Sequence, residues 1–291
     1  MQFQRRLTRR RILKGFVGLG FGYTWMSALL SACQRAAEPA TQAPTQSGPA
    51  TPVSGQAYDC LIIPAEALRQ DLTLTAAYAA SPPAVDEVAF TMETENLMAL
   101  TYGGDLMQYK PVWNDEFKIC VADMAAPGDS GVIGRWAERW EESPDGLTWT
   151  FHLKPGIRSW AGNEMTAEDI KWTWDRAFEM KSLRFFFGTV MSLAGPESVE
   201  VVDKYIVRFH LQRRCTVMLK LLAMGYYGGP FDSAEAKKHT TPDDPWAKNW
   251  LKDHDAGFGP YHIVKNIPGQ ELELERNPYY QPRPPIKRIL I

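Results

Sequence analysis

Residues 136–178 read WAERWEESPDGLTWTFHLKPGIRSWAGNEMTAEDIKWTWDRAF, and this stretch decides the fold. After the turn residues Ser143–Gly146, apolar side chains alternate with polar ones along residues 149–153, which is the period of a strand with one buried face. A polar loop then leads to Thr166, which we predict to be the N-cap of a helix, with Asp169 placed to reach back to the free amides. The stretch therefore predicts a β-hairpin followed by a helix, whose buried stripe is Ile170, Trp174, Ala177 and Phe178.

The residue types in this stretch follow each other in the order of a long and specific sequence motif. Residues 143–157 follow the pattern S-x-D-G-x-T-aromatic-T-F-x-L-basic-x-G-apolar, and residues 166–170 follow T-A-E-D-apolar. A second ordered set lies downstream, with Gly-Pro-Tyr at 259–261, Pro-Gly-Gln at 268–270 and Arg-Asn-Pro-Tyr-Tyr at 276–280. Through these motifs the chain, from roughly Leu72 onward, resembles the family 5 extracellular solute-binding proteins of ABC importers, which bind peptides, nickel or other solutes.

The resemblance implies an α/β fold of mixed sheets with flanking helices. By this resemblance the chain is expected to form lobe one of a two-lobed periplasmic-binding-protein-like fold of class II. The folded part is expected over residues 57–291, with an inserted subdomain at roughly 113–225. Family members continue into a second lobe, whereas residues 286–291 have the character of the beginning of a strand. We therefore expect the second lobe to be missing and the chain to be truncated before it.

The first 33 residues have the features of an export signal. A basic region that includes Arg9 and Arg10 precedes the apolar stretch Phe16–Leu30, which is shorter than the roughly 20 residues of a membrane-spanning helix. The arginines fit a twin-arginine signal, with the Sec route as the alternative. Leu30–Cys33 matches a lipobox, so Cys33 is the predicted lipidation site; the alternative is a retained membrane anchor.

Residues 34–56 are rich in Ala, Pro, Thr, Gln, Ser and Gly and contain almost no large apolar side chains. Such a segment cannot offset its ordering entropy by burial, so we predict a disordered tether. Signal and tether together predict an exported protein, lipid-anchored to the membrane in the periplasm or at the cell surface.

The folded part is expected to open with a strand from Leu72 to near Tyr78, then a loop, then a helix from Glu93 to Leu106 that stops around Gly103–Gly104. Family members open in the same way, and the start of that helix faces the ligand cleft. The resemblance thereby implies ligand-side positions for Ser81, Thr91, Met92, Glu93 and Thr94. Free N–H groups at a helix start can also meet a carboxylate or a carbonyl group. The alternative is that these are ordinary loop and cap residues.

Four other segments have local patterns. Val199–Leu211 and Tyr261–Glu275 are each predicted to form a β-hairpin. Met218–Ala223 is an apolar helix or strand. Asp244–Pro245 is predicted to begin a helix with proline at its first position, and Gly257 is predicted to close it.

We find no catalytic, metal or cofactor constellation in the sequence. Residues 128–131 read G-D-S-G, like the nucleophile region of trypsin-like proteases, but all five histidines follow Ser130 whereas in that family His precedes Ser. A turn is the better interpretation. The absence of H-E-x-x-H and C-x-x-C motifs predicts no metal and no cofactor, and we do not expect an enzyme. The net charge of −2 gives no support for nucleic-acid binding.

The four cysteines leave the disulfide pattern open. If Cys33 is lipidated, Cys60, Cys120 and Cys215 remain, so at most one disulfide forms. Export permits a disulfide. The alternative is that Cys120 and Cys215 are unbonded, buried small apolar side chains.

These features together predict the lipid-anchored solute-binding component of an ABC importer. By resemblance its solute is an oligopeptide or another solute of the family, and its partners are the importer's membrane subunits. Binding between two lobes that close about a hinge requires no covalent chemistry. The alternative is a non-transporting surface or sensory lipoprotein built from a truncated lobe, and a hydrolase that uses Ser130 is a third hypothesis.

Overall fold

A computed structural model describes residues 72–75, 92–116, 119–225 and 228–291. Within these ranges the strands are β1 (Leu72–Thr75), β2 (Met107–Tyr109), β3 (Pro111–Asn114), β4 (Ile119–Ala122), β5 (Val132–Gly134), β6 (Ala137–Glu142), β7 (Thr148–Leu153), β8 (Val199–Asp203), β9 (Ile206–His210), β10 (Tyr261–Ile267), β11 (Glu271–Arg276) and β12 (Ile286–Leu290). The α-helices are α1 (Met92–Thr101), α2 (Ala167–Met180), α3 (Leu183–Val190), α4 (Met218–Ala223), α5 (Ser233–Ala236) and α6 (Lys248–Leu251).

The strands form two four-stranded sheets and two short ladders. The first sheet has the order β1-β12-β11-β10; β1 is parallel to β12 and the other pairs are antiparallel. The second sheet has the order β6-β7-β9-β8 and is antiparallel throughout. The pairs β2–β5 and β3–β4 form the ladders. The mixed α/β fold predicted from the sequence is confirmed.

The second sheet buries one face against α2. Along β7 the side chains alternate between half-buried and buried, as the sequence predicts, and Phe151 meets Phe209 of β9 at 5.6 Å between ring centroids. Trp174 of α2 lies 5.7 Å from the same Phe209 ring. The start of α2 is fixed by Asp169, whose Oδ2 accepts the Thr166 amide at 2.7 Å. The hairpin, the cap and the buried stripe predicted for residues 136–178 are therefore confirmed.

The first sheet packs against α1. Leu97 of α1 belongs to a buried cluster with side chains from three strands of that sheet, namely Tyr261, Leu272, Leu274 and Ile289. The predicted hairpins at 199–211 and 261–275 are confirmed, and so is the strand character of residues 286–291. The segment Met218–Ala223 is a helix.

Two predicted helices differ from those observed. Helix α1 ends at Thr101, before Leu106, because Gly103 and Gly104 take left-handed φ values of 78° and 94°. The prediction that a helix begins at Pro245 is wrong, since α6 begins at Lys248 and ends at Leu251.

The late start of α6 has a local cause. Ala247 takes a left-handed φ of 50°, which interrupts any helix that continues from Pro245. The Asp244 carboxylate still caps the helix, although Asp244 lies three residues before the N-cap Ala247. It accepts the amides of Lys248 and Asn249 at 2.8 Å each. Gly257 lies beyond the end of α6 and has another role, described below.

Cys120 and Cys215 are both disulfide-bonded, so the alternative that they are unbonded apolar side chains is wrong. The export signal with Arg9, Arg10 and Cys33, the tether 34–56 and Cys60 lie outside the described residues. In the part of the chain that the structure describes, no helix has the length and apolar character needed to cross a lipid bilayer.

Candidate functional site

The candidate site lies at one edge of the first sheet, and the direction of α1 identifies that edge. Strands β1, β12 and β10 all run the same way, because β11 is antiparallel to both of its neighbours. The Thr101 carbonyl at the end of α1 accepts the Gly259 amide at 2.8 Å, two residues before β10 begins. Helix α1 therefore ends at the edge where the parallel strands begin, and its N-terminus points towards the edge where they end.

In open α/β sheets, ligands bind outside the carboxyl ends of the strands. The first turn of α1 is formed by Met92, Glu93 and Thr94, three of the five residues predicted to face a ligand. The first N–H groups of a helix lack intrahelical partners and favour a carboxylate or a carbonyl oxygen. Ser81 and Thr91, the other two, lie outside the described residues. The ligand-side role of all five stays a prediction.

The end of α1 is held by an unusually close approach of two backbones. A Cβ atom at Gly257 would lie 2.0 Å from the Thr101 carbonyl oxygen, and one at Gly259 would lie 2.5 Å from the same group. Only glycine allows such proximity. The G-F-G-P-Y segment thus fixes the position of α1 on the sheet, and with it the direction of the helix N-terminus.

A buried ion pair ties the segment after α1 to the second sheet's helices. Arg184 of α3 donates from Nη1 to Asp105 Oδ2 at 2.5 Å and from Nη2 to the Gly229 carbonyl at 3.0 Å. The other Asp105 oxygen accepts the Leu106 amide at 2.7 Å. Because both charged side chains are only 1% exposed, the pair serves structure and is shielded from solvent. The sequence does not predict this ion pair, because no local pattern of residues indicates it.

Asn277 links the motifs that carry the resemblance. Its Nδ2 donates to the Gly259 carbonyl at 3.0 Å and to the Arg158 carbonyl at 3.2 Å. Its Oδ1 accepts the Tyr279 amide at 2.9 Å. One buried amide thereby joins the R-N-P-Y-Y motif to the G-P-Y motif and to the loop after β7, which explains physically why Asn stands there.

Two carboxyl groups near these motifs have displaced pKa values in opposite directions. Complete burial raises the pKa of Asp255 to about 7, although its oxygens accept the Ile263 and Gly257 amides. Hydrogen bonds from Lys204, Tyr205 and the Gly156 amide lower the pKa of Glu164 to about 2. Burial thus favours the protonated form of Asp255, whereas hydrogen bonding favours the charged form of Glu164.

The G-D-S-G segment forms the predicted turn. The Ser130 hydroxyl donates to the Pro127 carbonyl at 2.7 Å, and the Ser130 amide does so at 3.3 Å. The five histidines, all within the described residues, contact other groups: Arg139 and Glu141, Glu200, Glu235, Trp250, and Trp160. None of these histidines is hydrogen-bonded to Ser130. Among the described residues no group of three or more His, Cys, Asp and Glu side chains is arranged to hold a metal ion.

The family model described as bacterial extracellular solute-binding proteins, family 5 Middle, matches residues 131–291, which is more than half of the chain.

Curated relatives are similar over a comparable share of the chain. The di/tripeptide-binding protein 4 of Pseudomonas aeruginosa (strain UCBPP-PA14) is 31% identical over 180 residues, which cover 56% of this chain and 33% of the relative. The probable D,D-dipeptide-binding periplasmic protein DdpA of Escherichia coli (strain K12) is 28% identical over 165 residues, which cover 56% of this chain and 30% of the relative. The aligned part of this chain thus spans about a third of the length of these relatives.

Solved structures share the fold. The periplasmic binding protein DppA from Helicobacter pylori, in complex with the peptide STSA, superposes with a TM-score of 0.60 at 20% identity, covering 77% of this chain and 43% of that one. NikA from Brucella suis, in complex with Fe(III)-EDTA, superposes with a TM-score of 0.59 at 20% identity, covering 76% of this chain and 39% of that one.

Proposed function

Because the chain belongs to the family 5 bacterial extracellular solute-binding proteins, we propose that it forms one lobe of the solute-binding component of an ABC importer. The match of the family model across residues 131–291 is the observation that carries this proposal. In this account the protein encloses its solute reversibly, without covalent chemistry, and presents it to the importer's membrane subunits.

The proposed solute is a short peptide. Several relatives are described as binding dipeptides or tripeptides, and the DppA structure contains a peptide. The start of α1 suits a peptide because the N–H groups of a helix's first turn can donate hydrogen bonds to its carboxylate or to a main-chain carbonyl oxygen. The residues proposed to face it are Ser81, Thr91, Met92, Glu93 and Thr94.

The proposed location is outside the cytoplasm. Residues 1–33 would be the export signal, with Arg9 and Arg10 as the twin arginines and Cys33 as the lipidated residue, and 34–56 the tether. The folded unit would be 57–291, with the subdomain at 113–225 inserted. Disulfide-bonded Cys120 and Cys215 support this location, since disulfides persist mainly in oxidising compartments.

A peptide titration tests the proposal. The native gene product is mixed with dipeptides, tripeptides and pentapeptides, with a sugar and with nickel, and its melting temperature is recorded. We expect peptides to raise the melting temperature, because a ligand that binds only the folded state stabilises it by mass action. A protein that responds to none of these compounds contradicts solute binding and favours the surface-lipoprotein alternative.

A further inference from the structure

Two chain segments that contact one another are rich in positively charged residues. The segments 154–163 and 276–291 together contain six Lys and Arg residues and no Asp or Glu, in a chain whose net charge is −2. We call Arg158, Arg276, Tyr279 and Arg283 the basic face.

Contacts between the two segments hold this face together. The Arg158 carbonyl accepts Asn277 Nδ2, and Arg158 Nη1 donates to the Gly162 carbonyl at 3.2 Å. The Tyr279 ring covers Gly162, since a Cβ atom there would lie 3.3 Å from Tyr279 Oη. Arg276 directly precedes Asn277, and its Nη1 donates to the Pro284 carbonyl at 2.9 Å, beside Arg283.

The arginines of this face form no ion pair with any described residue, although Glu164 lies opposite Arg158 in an isolated β-bridge and Glu275 directly precedes Arg276. Across the described ranges, no carboxylate lies within ion-pair distance of Arg158, Arg276 or Arg283. The acidic side chains nearest in sequence are already engaged: Glu164 by Lys204 and Tyr205, and Glu275 by Arg288. Arg288 is thus paired, whereas the charges of Arg158, Arg276 and Arg283 are not neutralised by an ion pair within the described residues.

The face also presents an aromatic side chain in a fixed position. Tyr279 is 48% exposed, while its backbone amide is held by the buried Asn277 side chain. A rigid tyrosine loses little conformational entropy on binding, and tyrosine and arginine are enriched among the residues that dominate protein–protein binding energies.

We propose that the basic face docks an acidic segment of a protein partner. Tyr279 would be the central contact, and the planar guanidinium groups of Arg158 and Arg283 would pair with carboxylates on either side of it. Planar guanidinium groups on a rigid loop pair best with carboxylates that a protein holds at fixed positions. A lipid surface would be bound equally well by mobile lysine side chains, so we favour a protein partner.

The position of the face separates this inference from solute binding. Asn277 also binds the Gly259 carbonyl, which lies beside Thr101 at the end of α1, whereas the candidate solute site lies at the start of α1. A ten-residue helix is about 15 Å long, so a partner on the basic face leaves the solute site open. The inference therefore does not depend on the proposed function.

The test uses the native gene product and fluorescently labelled poly-L-glutamate as an acidic probe, with binding followed by fluorescence anisotropy at low and at raised salt. The variants are Arg158→Glu, Arg283→Glu and Tyr279→Ala, each checked for an unchanged melting temperature. Arg213→Glu is the matched control, because Arg213 is exposed and distant from Arg158. Its neighbour Arg214 packs on Gly146, just before β7, whereas Arg158 lies just after β7.

We expect Arg158→Glu and Arg283→Glu each to weaken binding about tenfold, and Arg213→Glu by less than about twofold. Tyr279→Ala is expected to weaken binding without altering its dependence on salt, because it removes no charge. The inference is overturned if poly-L-glutamate does not bind, or if Arg213→Glu weakens binding as much as the other two. It is also overturned if phosphatidylglycerol vesicles bind more tightly than poly-L-glutamate and lose that binding in the same variants, because the face would then recognise a lipid surface.

Discussion

Single buried side chains connect parts of this chain that are far apart in sequence. Asp105 and Arg184 are separated by 79 positions and pair where neither is exposed. Asn277 holds the Arg158 carbonyl across 119 positions. Such pairs have no local signature, which is why the sequence predicts the Thr166–Asp169 cap, a contact over three residues, but not the Asp105–Arg184 ion pair.

Replacing Asp105 by alanine should destabilise the protein by about 3–5 kcal/mol, because the buried Arg184 loses its ion pair with Asp105. The free energy of unfolding is measured by urea denaturation. The matched control is Glu200→Ala, which breaks the solvent-exposed contacts with Arg208 and His210 and should cost at most about 1 kcal/mol. Equal effects of the two substitutions would contradict the structural role of the buried pair.

Asp255 should make stability depend on pH. Its pKa is raised to about 7 in the folded state, so its contribution is complete below the ordinary carboxyl pKa of 3.8 and is lost as pH rises through 7. Between these values the folded state binds more protons than the unfolded state, and stability falls by at most about 1.4 kcal/mol per pH unit from this group.

Urea denaturation at a series of pH values between 4 and 8 measures this slope. Asp255→Asn should flatten it. Glu164→Gln is the control of opposite sign, because the pKa of Glu164 is lowered to about 2 and its contribution is lost only as pH falls below the ordinary value of 4.5. An unchanged slope between pH 5 and 7 in Asp255→Asn would show that another group titrates there.

At the scale of elements, the sequence predicts local folding better than element ends. The β6–β7 hairpin and α2 follow from periodicity, turn residues and a cap, all within about 40 residues, and they are confirmed. The prediction for the start of α6 is wrong because it uses only the preference of proline for the first position of a helix. It takes no account of Ala247, whose left-handed backbone delays the helix, while the Asp244 carboxylate accepts the Lys248 amide. Periodicity gives the type of an element, whereas neighbours decide where it begins and ends.

The contact between α1 and the start of β10 gives a prediction about glycine. Gly257→Ala should destabilise the protein by about 3 kcal/mol or more, because the new methyl group meets the Thr101 carbonyl and the backbone must shift. Gly156→Ala is the control: it has a left-handed φ of 78° but open space around the Cβ position, so it should cost about 1–2 kcal/mol. Denaturation midpoints of the two variants measure the difference, and equal costs would remove the close approach as the feature that fixes α1.

At the scale of the whole molecule, the family and the mixed α/β fold were predictable because two ordered motifs carry them. The candidate site was predictable only in part. The sequence indicates a helix start after β1, but the direction of α1 on the sheet rests on the Thr101–Gly259 hydrogen bond between residues 158 positions apart. Met92, Glu93 and Thr94, which are proposed to face the solute, and the proposed basic face thus lie towards opposite ends of one short helix, so that the proposed solute and partner could bind independently.

Hydrogen exchange of the native gene product, with and without a bound tripeptide, tests the location of the solute site most directly. The account predicts that the peptide slows amide exchange at residues 81 and 91–94 and leaves residues 158–162 and 276–283 unchanged. Protection confined to the second set, or to neither, would contradict a solute site at the start of α1.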